Sequence, residues 1–114
     1  EVESVTYPGL TSSHYHELGK KYLTRGFGGV LSFRLKGDKQ RAESLVNNLE
    51  LISNVANVGD AKTLIIHPAS TTHSQLSESE QVAAGVQPTG LRVSVGLEHI
   101  DDIIADIESA ISKL

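Results

Sequence analysis

Two stretches of this chain alternate strictly between apolar and polar residues: Leu31, Phe33 and Leu35 fall on one side of one run, and Leu91, Val93 and Val95 on one side of another. Because side chains point to opposite faces of a strand in turn, a sheet built from these runs has one apolar face and must bury it under something else. The cover is legible in the same sequence. Ile100, Ile103, Ile104, Ile107, Ile111 and Leu114 form a single stripe at helical spacing, with acids and serines between them. A second helix is predicted from Asp38, a candidate N-cap, to about Glu50, with Ala42, Leu45, Val46 and Leu49 inward. A third follows Ser12 or Ser13, burying Tyr15, Leu18, Tyr22 and Leu23 before Gly26 stops it. A short fourth is announced by the capping-box pattern of Ser77 to Glu80 and ends at Gly85. Strand-like runs cover Glu3–Tyr7, Val30–Leu35, Leu51–Ala56, Lys62–Ile66 and Leu91–Val95, the third being the weakest. Short strands interspersed with amphipathic helices predict an α+β two-layer domain, with a small, mainly antiparallel sheet and helices on one face.

A length of 114 residues holds one domain, so residues 1–114 are read as a single unit. The absence of cysteine excludes a disulfide framework, a thiolate zinc site and a cysteine nucleophile. No apolar run approaches a membrane span and no signal-peptide pattern opens the chain, so a cytoplasmic location is the expectation. The first residues enter a strand pattern at once and the chain has no methionine at all, which reads as a piece excised from something longer. Charge is uneven. Residues 1–97 are neutral in sum, and the net charge of −4 lies in residues 98–114, where Glu98, Asp101, Asp102, Asp106 and Glu108 face only Lys113. These acids are read as the solvated face of the last helix, placed where its dipole favours them. Nothing in the chain is basic enough for nucleic acid.

The face opposite the helices is the informative one. Arg92 and Ser94 point away from Leu91, Val93 and Val95, which puts a guanidinium on the polar side of the sheet. Guanidinium is the group that clamps a carboxylate through two parallel N–H bonds, and its competitor role is an ordinary ion pair within or between domains. The segment Ser53 to Asp60 holds two asparagines, a glycine and an aspartate among apolar residues. It reads either as a turn or as an amide surface for an anion. The five histidines are spaced as loop and surface residues rather than as metal ligands, so no metal site is expected. Gly26-Phe27-Gly28-Gly29 follows a helix and precedes a strand, the reverse of a phosphate-binding loop. No Gly-x-Ser-x-Gly elbow exposes a serine nucleophile.

The stretch from Asn54 to His73, with Asn57-Val58-Gly59-Asp60 and His67-Pro68-Ala69-Ser70-Thr71-Thr72-His73, is followed by Leu91-Arg92-Val93-Ser94-Val95-Gly96-Leu97-Glu98. With Tyr7-Pro8-Gly9-Leu10 and Gly26–Gly29, this wording resembles the C-terminal domain of the Cys/Met-metabolism pyridoxal-phosphate enzymes of fold type I, in their O-acetylhomoserine sulfhydrylase branch. The resemblance runs over essentially the whole chain. It implies that Arg92 binds the α-carboxylate of an amino-acid substrate, that Asn57 stands where relatives carry a serine contacting the same carboxylate, and that Thr72 lies near that pocket. It implies pyridoxal phosphate as the cofactor of a full-length enzyme, and O-acetylhomoserine with sulfide or a thiol as substrates. The further partners it implies are an N-terminal cofactor domain and a homotetramer. The Schiff-base lysine and the cofactor-binding residues belong to that N-terminal domain, so no catalytic residue is expected here and this chain alone is expected to bind no cofactor and to be inactive. The competing expectation is a free-standing α+β module that holds an amino acid through Arg92 and the Asn57 turn.

Overall fold

The computed structural model describes all 114 residues. Five strands, β1 (Val2–Thr6), β2 (Val30–Leu35), β3 (Ser53–Asn54), β4 (Leu64–Ile66) and β5 (Gly90–Ser94), form one sheet in the order β1-β2-β5-β4-β3. Every neighbouring pair is antiparallel except β3 with β4, so the sheet is mixed, as two-layer α+β domains often are. Two helices cover one face: α2 (Lys39–Asn48) and α4 (Ile100–Ser112). The core lies between the layers. Phe33, Leu35, Ile65, Leu91 and Val93 from the sheet meet Ala42, Leu45 and Val46 of α2 and Ile103 and Ala110 of α4. The alternation in β2 and β5 therefore faces the helices as the sequence requires. No helix is long and apolar enough to cross a membrane.

Local signals set the helix starts. Asp38 caps α2, its carboxylate accepting from the Arg41 N–H at 3.1 Å. Ser77 and Glu80 close a reciprocal capping box on α3 (Glu78–Ala83). The Ser77 N–H and hydroxyl both donate to the Glu80 carboxylate, which holds its pKa below the ordinary value.

Several expectations are corrected, some by local turns and some by contacts distant in sequence. The predicted helix after Ser12 or Ser13 is confined to α1 (His16–Tyr22), because residues 7–16 run as successive turns through Leu10 N–H to Tyr7, Ser13 N–H to Leu10 and His16 N–H to Ser13. Its predicted buried side is not buried: Tyr15, Leu18, Tyr22 and Leu23 are all exposed, and the helix meets the rest of the chain through Gly19, against Phe27 and Pro8. Ile100 and Ile104 of the α4 stripe are likewise exposed.

The run Leu51–Ala56 yields only the two residues of β3. The Glu50, Leu51 and Ile52 N–H groups do not pair with a strand; they donate to the two carboxylate oxygens of Asp106 on α4, at 2.8, 3.0 and 2.9 Å. Asp106 is thus no part of a solvated face but the pin between α4 and the exit of α2. Hydrogen bonds to a charged acceptor contribute more than neutral ones, and the Ile52 amide has no water to turn to. Asp106→Ala is expected to lower the unfolding free energy of the chain by about 3 kcal/mol, and Asp106→Asn, which keeps one acceptor oxygen, by about half of that. Urea denaturation with an unchanged slope checks both values.

Likewise β4 begins at Leu64 instead of Lys62. The Lys62 N–H donates to Asp60 Oδ1 at 3.0 Å and the Thr63 N–H to Glu98 Oε1 at 2.8 Å. Carboxylates again take amides that a longer strand would have used.

Candidate functional site

The polar face of the sheet is built around Arg92. In the strand register Arg92 stands between Ser32 of β2 and Ile66 of β4, with Ser94 two residues on and Gly90 two residues back. This face is covered on its β4 side. Leu64 and Ile66, which alternate away from the core, are buried there, and the 55–62 loop and the turns of 68–73 stand over them. A cleft of about 490 Å³ opens between these pieces, lined by Ala56, Asn57, Val58, Ile66, Pro68, Thr72, His73 and Arg92. A broader cleft of about 680 Å³ continues on the β2 side. It shares Arg92, Pro68 and His73 with the first and adds Ser32, Arg34 and residues of β1. Arg92, Asn57 and Thr72, singled out from the sequence, therefore line one cavity.

Their hydrogen bonds differ in kind. Arg92 Nη2 donates to the Asn57 carbonyl at 3.3 Å, a long contact, and this is the guanidinium's one hydrogen bond. Its Nε is shielded from solvent without any partner. A guanidinium has five donors and no acceptor, so Arg92, which lines the cleft and makes one long bond, has donors left for an anionic ligand. Asn57 offers its backbone to Arg92 and spends its side chain on its own turn: Oδ1 accepts from the Val58 N–H at 2.8 Å, and Nδ2 donates to Asp60 at 3.4 Å. The sequence segment with two readings is thus a turn in structure and one wall of the cleft in position. Thr72 is exposed, and its hydroxyl lies 2.8 Å from His73 Nδ1.

Behind the site, Thr63 joins three segments. Its side chain is fully buried. The hydroxyl donates to Glu98 Oε2 at 2.6 Å and accepts from the Gly96 N–H at 2.8 Å. The bonds from Thr63 hydroxyl and amide, with a backbone N–H of its own residue, hold the Glu98 carboxyl below the ordinary carboxylate range. Glu98, expected on a solvated face, instead fastens the end of the cleft-forming loop to the segment after β5.

One histidine occupies a loop, as the sequence predicts, and yet is buried. His67 is only 1% exposed. Its Nε2 lies 2.7 Å from the Pro88 carbonyl, which can only accept, so Nε2 carries the proton; Nδ1 meets the Ser70 hydroxyl at 2.8 Å. It ties the 3-10 turn Pro68–Ser70 to the entry of β5. Its place directly after the continuous apolar run Leu64–Ile66 was the available sign of burial. His16 reaches the Pro8 carbonyl and stacks on Phe27, and no three His, Asp or Glu side chains come together as a metal site. The second residue that sequence reasoning left without a role is Ser94, 4% exposed, whose hydroxyl donates to the Asn57 carbonyl at 2.9 Å.

Comparison with known proteins sets this site in context. The family model of the Cys/Met metabolism PLP-dependent enzymes matches residues 1–112. The homocysteine synthase of Schizosaccharomyces pombe is 56% identical over 97% of this chain and 26% of its own length. The O-acetyl-L-homoserine sulfhydrylase of Leptospira meyeri is 50% identical over 100% of this chain and 26% of its own. A crystal structure from Campylobacter jejuni, assigned as an O-acetylhomoserine (thiol)-lyase and carrying a pyridoxyl-lysine monophosphate, superposes with a TM-score of 0.87 at 48% identity. It is covered over 26% of its chain, against 97% of this one. The chain thus spans about a quarter of the length of the relatives it matches.

Proposed function

This chain belongs to the Cys/Met-metabolism family of pyridoxal-phosphate enzymes, and from that premise we propose that it is the C-terminal, substrate-carboxylate-binding domain of an O-acetylhomoserine sulfhydrylase. The observation that carries the reading is the Arg92 guanidinium, with one long hydrogen bond and a shielded, unpartnered Nε, at the wall of a cleft that Asn57 and Thr72 also line. A carboxylate supplies the two acceptor oxygens that such a fork lacks. The relatives' names point to homocysteine synthesis and to O-acetylhomoserine as a substrate for sulfhydrylation; in this reading sulfide takes the place of acetate to give homocysteine, or a small thiol does so to give methionine, one C–O bond being lost and one C–S bond gained.

Neither cleft is lined by a lysine. The site therefore does not fit the cofactor's aldehyde, which is held through a lysine amine, and it does fit the carboxylate end of an amino acid. In this reading the cofactor is bound by a larger N-terminal domain, in a cytoplasmic homotetramer. The role of Arg92 is to hold and orient the substrate, since fixing one end of a flexible amino acid limits the directions its reacting bonds can take. The test is direct. The full-length protein, loaded with pyridoxal phosphate, is expected to release acetate and form homocysteine from O-acetylhomoserine and sulfide. The 114-residue chain is expected to show neither turnover nor the absorbance of bound cofactor. A free-standing chain that takes up the cofactor or converts the substrate would remove the proposal.

A further inference from the structure

Ser94 and Arg92 stand two residues apart in β5 and so project from the same face. Both donate to one atom, the Asn57 carbonyl oxygen: Ser94 Oγ from 2.9 Å and Arg92 Nη2 from 3.3 Å. From this shared acceptor we infer that Ser94 is a positioning residue for Arg92, an inference that rests on the carboxylate-binding reading above. The 55–62 loop is exposed throughout; its far end is tied to the segment after β5 by the Leu97 N–H to Ala61 carbonyl bond at 2.8 Å, whereas at Asn57 itself the ties to the sheet are the two bonds from β5. The neutral, part-buried and shorter bond from Ser94 is the stronger of the two that keep the Asn57 turn against the strand. Arg92, at the longer distance, can then turn an N–H toward a ligand without leaving the carbonyl unsatisfied, because a hydroxyl already occupies it.

Removing the hydroxyl changes this arrangement in a defined way. With alanine at position 94, Arg92 becomes the sole side-chain donor to the Asn57 oxygen. A substrate carboxylate and that carbonyl then compete for the same guanidinium, and the turn loses the shorter of its two ties to β5. The loss falls on binding, equally before and in the transition state, so it raises KM with little change in kcat.

The experiment is steady-state kinetics of the full-length, cofactor-loaded enzyme with Ser94→Ala, Ser94→Thr and Arg92→Ala. Ser94→Ala is expected to raise KM for O-acetylhomoserine by about three- to tenfold, the worth of one hydrogen bond, with kcat within about twofold of the parent and KM for sulfide unmoved. Ser94→Thr keeps the hydroxyl on a residue suited to a strand and is expected to restore most of the substrate KM. An unchanged KM in Ser94→Ala, beside a raised KM in Arg92→Ala, overturns the positioning role and leaves the carboxylate reading standing. A fall in kcat together with a rise in KM for both substrates in Ser94→Ala marks a merely structural residue and also overturns it. An unchanged KM in Arg92→Ala overturns both readings at once.

Discussion

Gly96→Ala is expected to be the most damaging single methyl that can be added to this chain. A Cβ at position 96 would lie 2.4 Å from the Ala61 carbonyl oxygen and 2.5 Å from both the Lys62 carbonyl carbon and the Thr63 nitrogen. The backbone at Gly96 is not left-handed, so the requirement is for room and not for conformational freedom. All three contacts are main-chain atoms, which have no rotamer to move into. Relief therefore needs two segments to part, and they are laced together where the methyl would enter. The Gly96 N–H donates to Thr63 Oγ1 at 2.8 Å and the Leu97 N–H to the Ala61 carbonyl at 2.8 Å, while Thr63 is clamped by Glu98. Overpacking alone costs about 1–3 kcal/mol, and each buried hydrogen bond broken to relieve it adds about 1 kcal/mol, giving a loss of about 4 kcal/mol or more. That is a large part of the stability of an ordinary domain. Urea denaturation of the chain is the measurement, with Leu97→Ala as the neighbouring control, since Leu97 is 86% exposed and its truncation should move stability by about 0.5 kcal/mol or less. A Gly96→Ala chain within about 1 kcal/mol of the parent would show that the two segments are not in the contact described.

The same contacts explain which parts of the fold the sequence reveals and which it hides. Caps are local, so the Asp38 start of α2 and the Ser77–Glu80 box of α3 are readable from three or four residues. Strand alternation is local too, and it places Arg92 and Ser94 on the polar face before any coordinate is known. The lengths of β3 and β4 are not local. Carboxylates far along the chain take amides from both, Asp106 for Glu50–Ile52 and Glu98 for Thr63, and no short window of sequence contains both partners; only the Lys62 amide is lost to a neighbour, Asp60. The acids of residues 98–108 look alike as a pattern, yet two of them hold backbone amides while Asp101, Asp102 and Glu108 face solvent. The apolar side of α1 is a different case: its spacing is that of a buried helix, and within this chain nothing covers it. At the site, the guanidinium could be singled out from its type and its face. Its shared acceptor with Ser94 could not, because Asn57 lies 35 residues from Arg92 in the chain.

Arg92→Ala separates the two demands made on this residue. For stability the guanidinium is a poor choice: its Nε is shielded and unpartnered, and such a donor costs free energy that a smaller side chain does not. The isolated Arg92→Ala chain is accordingly expected to unfold within about 1 kcal/mol of the parent. For function the loss is expected to be large. Truncating one partner of a charged, hydrogen-bonded pair that is shielded from water costs about 2–5 kcal/mol, so KM for O-acetylhomoserine in the full-length enzyme should rise by about a hundredfold, with the sulfide KM unmoved. A further fall in kcat is expected, because a substrate held at fewer points samples more orientations that do not react. Arg92→Lys returns the charge without the planar fork and should recover about tenfold of the loss, leaving a clear deficit against arginine. The pairing of the two measurements decides the matter. A large activity loss with an intact fold is what a carboxylate clamp predicts, whereas an ordinary structural arginine would lose stability and substrate affinity together.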